Sequence, residues 1–430
     1  MLTALGIALF FLGILFSIAW HELGHFATAR WFGIKVSEFM VGFGRTIWSR
    51  KPGETEFGLK VIPLGGYIRM IGMIPPAPGG TLGRSRRTGP FQGLIDDARR
   101  QSAMDVRPED ADRQFWMRAP WKRVVVMFAG PFMNLVLAVV LFAIVLMGIG
   151  VPTSSTTIGT VSACVVPATA RSDTCPPAAP PTPAAAAGFR AGDRIVAFNG
   201  QELGPNDGAA LRAAIQHASG TAIVVVQREG QLVTLTPVLI RNEVVDANDP
   251  SKTVQASFLG VGLASAGYVR QNAGAVVAQI GDIVGRTGQA LIALPARVPG
   301  LIGSAFLGEQ RDRDGPVGIV GASRIGGEIL ALDQPLAAEL SFFLQLLAAV
   351  NISLFLFNLL PIPPLDGGQI FPALWEAARK RIARLRGRPD PGPVDVAKLM
   401  PVAYVVALVF IAWSGLLFVT DIVNPIRLTQ

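Results

Sequence analysis

Two histidines and a glutamate lie close together near the start of the chain. His21, Glu22 and His25 form the pattern H-E-x-x-H, and the whole chain has only three histidines. On a helix, residues i and i+4 lie one turn apart on the same face, so the two imidazoles can bind one metal ion. Zinc suits two imidazoles and a carboxylate, and the intervening Glu22 is placed to act on water. On this motif alone, a histidine pair that faces a polar neighbour at a helix end stays an alternative.

The histidine pair follows an uncharged apolar run. An ionisable side chain at membrane depth is costly unless it has a partner, so its presence indicates function. Half of the 430 residues are hydrophobic and 16% are charged, which excludes a wholly soluble protein. The first apolar run lacks the basic start and the small-residue cleavage site of a signal peptide, so we expect it to be retained. Four stretches approach or exceed the roughly 20 residues that cross a bilayer core: Leu2–Trp20, Val124–Val151, Leu340–Leu360 and Leu399–Val419.

The basic residues predict how the chain crosses the membrane. Between Phe26 and Arg123 there are 17 Lys or Arg against 9 Asp or Glu, and seven more Lys or Arg fall between Arg379 and Lys398. Short connections rich in Lys and Arg stay in the cytoplasm. We therefore expect a multi-pass protein of the bacterial inner membrane, with both termini and residues 152–336 outside. Topology and anionic lipid headgroups explain the basic surplus, so the bilayer is an expected partner and nucleic acid is not.

The only two cysteines, Cys164 and Cys175, both fall in the segment assigned to the outside. Eleven residues apart in an oxidising compartment, they could form a disulfide. Two buried free thiols are the alternative.

The third apolar stretch ends in a proline-rich segment, Phe357–Gly368, that carries a carboxylate. The first and third stretches both run from outside to inside, so Asp366 should reach the same side of the membrane as the histidines. Prolines free backbone groups, and exposed backbone at membrane depth is tolerated only where it is buried in protein or lines a wet cavity. His21, His25 and Asp366 would give zinc three protein ligands and leave one position open.

The first cytoplasmic connection contains β-prone runs around Pro and Gly-Gly in Phe57–Met70, which predict a hairpin that dips towards the site. Its edge could bind an extended peptide by strand addition, and an ordinary surface hairpin is the alternative. The residues of that edge are Gly65, Gly66, Tyr67 and Ile68. The following Pro75–Ala119 is polar and rich in Gly, Pro and Arg, which predicts a solvated, partly disordered loop.

The second apolar stretch contains Gly130, Pro131 and Asn134. Proline removes a backbone hydrogen bond and glycine allows close approach, so we expect a kinked helix packed against a neighbour. In lipid, Asn134 needs a hydrogen-bond partner, and we expect it to have a structural role.

Outside the membrane, Ala187–Gly200 with flanking strand and helix patterns resembles a PDZ domain of the bacterial protease type. Such domains bind extended peptides beside a strand and often capture a C-terminal carboxylate. His217 lies on the predicted helix of this domain, and we assign it there rather than to a metal. Farther along, Val276–Leu294 has the pattern of an amphipathic helix that is too charged to span the membrane.

Two motifs about 340 residues apart carry a family resemblance: His21-Glu22-Leu23-Gly24-His25, and the segment from Asn358 to Gly367. Together they resemble the site-2 protease family of intramembrane zinc metalloproteases. The PDZ-like segment is similar to the bacterial regulator-of-sigma-E proteases, and the Arg-rich composition suggests the actinobacterial branch. One apparent PDZ domain, where some relatives have two, and the long insertion at 75–119 depart from the family pattern.

The resemblance implies one catalytic zinc bound by His21, His25 and Asp366, with Glu22 as the catalytic acid and base. It implies that Asn358 hydrogen-bonds the substrate backbone or the developing oxyanion. Substrates of the family are single-span membrane proteins such as anti-sigma factors, already trimmed outside by another protease. A competing interpretation is a non-catalytic PDZ-bearing membrane chaperone or quality-control adaptor, which would not need Glu22. A metal transporter would need ligands along several spans, and the spans lack them.

The expected fold is therefore a polytopic α-helical membrane protein with four transmembrane helices, a membrane-dipping cytoplasmic β-hairpin and an extracytoplasmic PDZ domain of the α+β class. The expected segments are 1–32, first transmembrane helix; 33–120, hairpin and basic loop; 121–152, second transmembrane helix; 153–265, PDZ domain; 266–336, amphipathic connector; 337–366, third transmembrane helix; 367–398, basic loop; and 399–430, fourth transmembrane helix and tail.

Overall fold

A computed structural model of the chain describes residues 2–76, 91–165, 175, 179–245, 253–309, 311–312, 315–329 and 335–426. The chain divides into two compact units, one formed by 1–145 with 273–430 and the other by 146–272. The first unit is built on long apolar helices and the second on an antiparallel sheet.

The helices of the first unit are α1 Leu2–Trp31, α2 Gln92–Met104, α3 Pro120–Ala143, α6 Ala273–Phe306, α7 Ile319–Ile329, α8 Leu336–Asn358, α9 Gly367–Leu385 and α10 Met400–Val423. α3 continues as a π-helical segment, Ile144–Ile149, and short 3-10 turns lie at Pro108–Asp110 and Val396–Leu399. α1 ends where predicted, because Gly33 takes the left-handed conformation (φ 72°) that favours glycine after a helix.

Among the described residues, five helices are long and apolar enough to cross a membrane by length and composition: Thr3–Trp31, Pro120–Ile149, Ala273–Phe306, Leu336–Asn358 and Val396–Val423. All four expected apolar helices are present. The fifth is α6, which we expected to be a shorter amphipathic helix over 276–294. It runs for 34 residues because the apolar sequence continues past Leu294, through Pro295 and Pro299, with Arg297 as its only further charge.

Small and polar residues let the helices pack closely on α1. A Cβ on Gly24 would lie 2.4 Å from the carbonyl oxygen of Ala129 in α3, so only glycine allows this approach. On α8, the buried Asn351 amide donates to Ser17 Oγ at 2.9 Å. Glycines of α7 make a third contact, since a Cβ on Gly326 would lie 2.6 Å from the Phe10 ring. α1, which carries the H-E-x-x-H motif, is thus the central helix of this unit.

A β-hairpin is present, as predicted, but its turn does not lie at the Pro and Gly-Gly residues of 57–70. The stretch 57–70 lies within one long strand, β2 (Glu56–Met70), whose partner is β1 (Val36–Arg50). We missed β1 because Gly42 and Gly44 interrupt its apolar pattern. The first half of β1 pairs on both sides: Met40 pairs with Tyr67 and with Gly58. Residues 66–70 therefore form an edge, since no other described strand pairs with them.

Two expected loops are partly helical. The stretch 75–119 was expected to be a solvated loop, but it contains α2 and the buried residues Asp110 and Phe115. Asp110 is fixed by Lys35 and Arg113. The part of this prediction that concerns 77–90 lies outside the described residues. The stretch 367–398 was expected to be a basic loop, but it contains the 19-residue helix α9, because its Ala, Leu, Arg and Lys residues favour a helix.

The second unit contains β3 Val151–Val161, α4 Pro183–Ala187, β4 Arg194–Phe198, β5 Gln201–Glu202, α5 Gly208–His217, β6 Val224–Arg228, β7 Gln231–Leu235, β8 Ile240–Val245, β9 Thr253–Phe258 and β10 Val261–Val269. The main sheet has the order β10-β3-β4-β6-β7, β5 pairs with β4, and β8 pairs with β9. Its core includes Ile158, Phe189, Ile195, Leu211, Val224 and Leu259. The sulfurs of Cys164 and Cys175 are bonded, at 2.05 Å.

Candidate active site

The two histidines of α1 and the carboxylate that precedes α9 come together in the first unit. His21 Nε2 lies 3.1 Å from Asp366 Oδ2, and His25 Nε2 lies 3.3 Å from Asp366 Oδ1. The two Nε2 atoms are 3.1 Å apart. Both histidines are buried, and 18% of the Asp366 side chain is exposed. The residues that the motifs predicted therefore form one cluster, although they come from opposite ends of the sequence.

The donor atoms fit a tetrahedral metal ion. Zinc–nitrogen and zinc–oxygen bonds of about 2.0–2.1 Å place two ligand atoms of a tetrahedron about 3.3 Å apart. The 3.1 Å between the two Nε2 atoms is close to this edge, and each imidazole has one Asp366 oxygen at 3.1 or 3.3 Å. Taking one ligand atom from each residue, all three lie within 4.8 Å of one another. Three protein ligands leave the fourth position free, as in catalytic rather than structural zinc sites.

Hydrogen bonds orient His25 for metal binding. Its Nδ1 lies 2.7 Å from the carbonyl oxygen of Val126 in α3. Because a carbonyl can only accept, Nδ1 carries the proton, and neutral His25 keeps its Nε2 lone pair for a metal. A ligand that donates its other ring N–H to a backbone carbonyl is typical of metal-binding histidines.

Asn134 orients the His21 ring in the same way. Its side-chain amide lies 3.1 Å from His21 Nδ1, and both groups are buried. The two orientations of an amide are isosteric, and the one with Oδ1 towards the ring lets Nδ1–H donate to an oxygen that otherwise has no partner among the described residues. Asn134 was expected to be a structural residue of α3, and its contact with His21 was missed because sequence does not show which polar residue a kinked helix turns towards a ligand.

Gly130 is a second contributor that the sequence analysis did not connect to the metal. A Cβ at this position would lie 2.2 Å from His25 Nε2 and 2.7 Å from His21 Nε2. α3 therefore forms a wall of the site that only glycine can provide. The signal was the Gly130-Pro131 pair, which we interpreted only as a kink and a close contact.

Glu22 lies between the ligands and the β-sheet edge. It is buried beside the strand edge at Gly66. A Cβ on Gly66 would lie 3.1 Å from Glu22 Cγ and 3.0 Å from Ile18 Cγ2. The edge strand thus packs directly on the helix turn that carries Glu22.

The remaining predicted site residues have their own local contacts. The Tyr67 hydroxyl donates to Glu38 at 2.9 Å, which turns the phenol along the sheet. Gly65 has φ 118° and packs on the ring of Phe43. Asn358 is the last residue of α8, and its amide donates to the Leu354 carbonyl at 3.0 Å. His217 is the last residue of α5 in the second unit, as predicted.

A buried HExxH pair on an apolar helix, completed by an aspartate from a distant segment, is the arrangement of a membrane-embedded zinc peptidase. The chain matches the model of peptidase family M50 over residues 9–390, and it belongs to that family. It is 35% identical to zinc metalloprotease Rip1 of Mycobacterium tuberculosis over all of both chains. Rip1 of Mycolicibacterium smegmatis shows the same identity and coverage. Metalloprotease MmpA of Caulobacter vibrioides is 28% identical over 87% of each chain.

These matches confirm the resemblance to the site-2 proteases. The protein is an integral membrane zinc metalloprotease.

Proposed function

We propose that the protein hydrolyses a peptide bond within or near the transmembrane helix of a single-span membrane protein. One observation carries the proposal. His21, Glu22 and His25 lie on a helix that is apolar enough to span the membrane, beside Asp366 and beside a strand edge with which no other described strand pairs. A soluble substrate would not require such a helix.

His21, His25 and Asp366 would hold the zinc ion. When bound, zinc supplies a Lewis acid that makes water nucleophilic near neutral pH. The Glu22 carboxylate accepts a proton from the attacking water and later returns it to the leaving amide nitrogen. The carbonyl of Val126 and the amide of Asn134 keep the two imidazoles in the ligand orientation during this proton transfer. Asn358, at the end of α8, is the candidate donor to the substrate backbone or the developing oxyanion.

The edge formed by residues 66–70 is the candidate substrate clamp. A transmembrane helix hides its carbonyls in its own hydrogen bonds, so the substrate must unwind before it can be cut. An unwound segment regains hydrogen bonds by adding a strand to a sheet edge, which tolerates many sequences. Gly66 lies against Glu22, so a strand bound along this edge passes beside the catalytic base.

We assign the second unit as a PDZ domain that binds an extended peptide or a C-terminus. A groove runs between α5 and β10, lined by Arg212 and Ile215 on one side and by residues 257–263 on the other. Within the described residues, β10 pairs only with β3, so its second edge is open to strand addition. In regulated intramembrane proteolysis this domain would exclude or dock substrates that another protease has already trimmed, such as anti-sigma factors.

With α1, α3, α8 and α10 as the four crossings, the charge distribution supports an orientation with the second unit and both termini outside. The basic residues of 26–123 and 379–398 then lie in the cytoplasm, and the metal cluster lies towards that side.

The test is cleavage of a single-span reporter with a shortened extracytoplasmic part, in membranes that contain the wild type or Glu22→Gln. We expect the substitution to abolish cleavage while zinc content stays near one ion per chain, because Glu22 is not a ligand. If the reporter is cut equally by both, Glu22 is not the base. If the wild type retains the reporter without cutting it, the adaptor interpretation gains support.

A further inference from the structure

Helix α9 exposes apolar side chains and buries a charged one, which is the reverse of a surface helix in water. Its buried face contains Ala373 and Glu376, which are 3% and 2% exposed. Its outer face exposes large apolar side chains. These are Phe371, Leu374, Trp375, Ile382 and Leu385, with exposures of 59, 52, 54, 46 and 79%. An apolar outer face of this size indicates an apolar environment outside the protein.

The exposed side chains form one continuous stripe. With 3.6 residues per turn, positions 371, 374, 375, 382 and 385 fall within an arc of about 100°. Arg379 borders this arc on one side and Arg381 on the other. Cations along both borders of an apolar stripe are typical of a helix that lies in a membrane interface, with its stripe among the acyl chains and its charges among the headgroups. α9 carries five charged residues and is not one of the helices apolar enough to span.

The ion pair on the buried face sets the depth of α9. Arg123 Nη2 lies 2.6 Å from Glu376 Oε2, and both side chains are buried. Arg123 is in the first turn of α3, next to the exposed Trp121. The ring of Phe32, just after α1, packs on Trp121. Tryptophan at the ends of apolar helices marks the membrane–water boundary. α9 is therefore held at the level of that boundary.

The charge of this region selects the headgroup. Glu376 is the only acidic residue of α9, and it is already paired with Arg123 and with Lys380, the latter at 2.9 Å. Each basic residue near an anionic surface adds electrostatic attraction, whereas a zwitterionic surface provides no comparable gain. The further basic residues in and just after the helix are Arg379, Arg381, Arg384, Arg386 and Arg388.

We propose that α9 is an interfacial helix that binds the surface of an anionic bilayer through its apolar stripe and flanking arginines. Asp366 immediately precedes the helix, so this contact holds the segment that supplies the third residue of the metal cluster. The membrane contact itself does not depend on the proposed reaction.

The test uses single-cysteine variants of the full-length protein in lipid nanodiscs, labelled with a fluorophore without reductant so that the native disulfide stays closed. Leu374→Cys places the probe on the stripe, and Arg384→Cys places it on another face of the same helix. Lipids with a nitroxide on the acyl chain should quench the probe at 374 at least threefold more than the probe at 384. Equal, weak quenching at both positions would overturn the proposal. So would a probe at 374 that is shielded from water but not quenched by lipid, since a second protein copy would then cover the stripe.

The headgroup preference is tested in the same assay. Quenching at 374 should be about twofold or more stronger in phosphatidylglycerol than in phosphatidylcholine nanodiscs. Arg379→Gln/Arg381→Gln should remove this difference, and Arg190→Gln/Arg212→Gln, which removes the same charge from the other unit, should preserve it. Equal quenching of the labelled Leu374→Cys chain, with all its arginines present, in both lipids would show that charge does not select the surface. Because the readout is quenching, loss of proteolysis in any variant leaves the result interpretable.

Discussion

The substitution Gly130→Ala tests the geometry of the metal cluster most directly. The added methyl carbon would lie 2.2 Å from His25 Nε2, 2.6 Å from His25 Cε1 and 2.7 Å from His21 Nε2. Ordinary contacts begin near 3.4 Å, so the overlap with the first nitrogen is about 1.2 Å. The 2.2 Å separation is close to the zinc–nitrogen bond length of about 2.0–2.1 Å, so the methyl would crowd a zinc ion bound to the same nitrogen.

The imidazoles cannot yield easily, because Val126 and Asn134 fix them from the same helix. Losing the orientation of a single ligand costs about 10–100-fold in metal affinity. Since Gly130→Ala disturbs two ligands, we expect zinc affinity to fall by at least about 100-fold, with cleavage lost in parallel. Alanine itself favours a helix by about 1 kcal/mol over glycine, so a lower helix propensity of α3 would not explain the loss.

Zinc per chain is measured by elemental analysis after dialysis against graded chelator. Gly415→Ala is the matched control: it also adds a methyl to an apolar helix, but that methyl meets nothing within 4 Å. Wild-type zinc affinity in the Gly130→Ala protein would refute the arrangement of α1 and α3 described here.

Three further predictions follow from single contacts. Asn134→Leu should weaken zinc binding about 10–100-fold, whereas Asn134→Asp, which still accepts from His21, should stay near the wild type in a chelator titration. Gly66→Ala should lower kcat about tenfold with little change in zinc content, because its Cβ displaces Glu22, the proposed base, by a few tenths of an ångström. Asp193→Asn should lower the urea midpoint of the second unit, because the buried Asp193 carboxylate accepts hydrogen bonds from Nε and Nη2 of the partly exposed Arg228 and an amide cannot replace its charge.

The contact between Asp193 and Arg228 also predicts that the stability of the second unit depends on pH. Hydrogen bonds from Arg228 hold the pKa of Asp193 below its usual value. Because the folded pKa is the lower one, the stabilisation is complete above the unfolded pKa of about 3.9 and is lost as pH falls through the folded value. The wild-type second unit should therefore lose stability below about pH 4, while Asp193→Asn should lose less over the same range. If the free energies of unfolding of the wild type and of Asp193→Asn change in parallel with pH, the Asp193–Arg228 pair contributes nothing to stability.

The other two predictions have their own refuting outcomes. Equal zinc affinity of Asn134→Leu and Asn134→Asp would mean that the contact with His21 does not orient the ring. For Gly66→Ala, the control is Gly93→Ala, whose methyl meets nothing within 4 Å. If both variants cleave the reporter at the wild-type rate, the edge strand does not position the base.

The sequence by itself predicted the chemistry of this protein. H-E-x-x-H predicts two ligands and a base through helix periodicity alone, and the length of the apolar runs predicts the membrane setting. Asp366 was predicted as the third ligand because two spans of the same direction bring their ends to one side. These predictions depend only on the spacing of residues along a helix and on the number of membrane crossings, and both can be read from the sequence.

Tertiary structure decided what surrounds that chemistry. A close approach between α1 and α3, which no local pattern specifies, decides which face of α3 contacts the histidines. The roles of Gly130 and Asn134 follow from that contact. The partner of β2 was missed for the same reason, since strand pairing is a non-local choice. α9 was interpreted as a loop from its charge, and only the Arg123–Glu376 pair shows that its apolar side faces outwards. A sequence pattern specifies the two faces of a helix, but only packing decides which of them the protein covers.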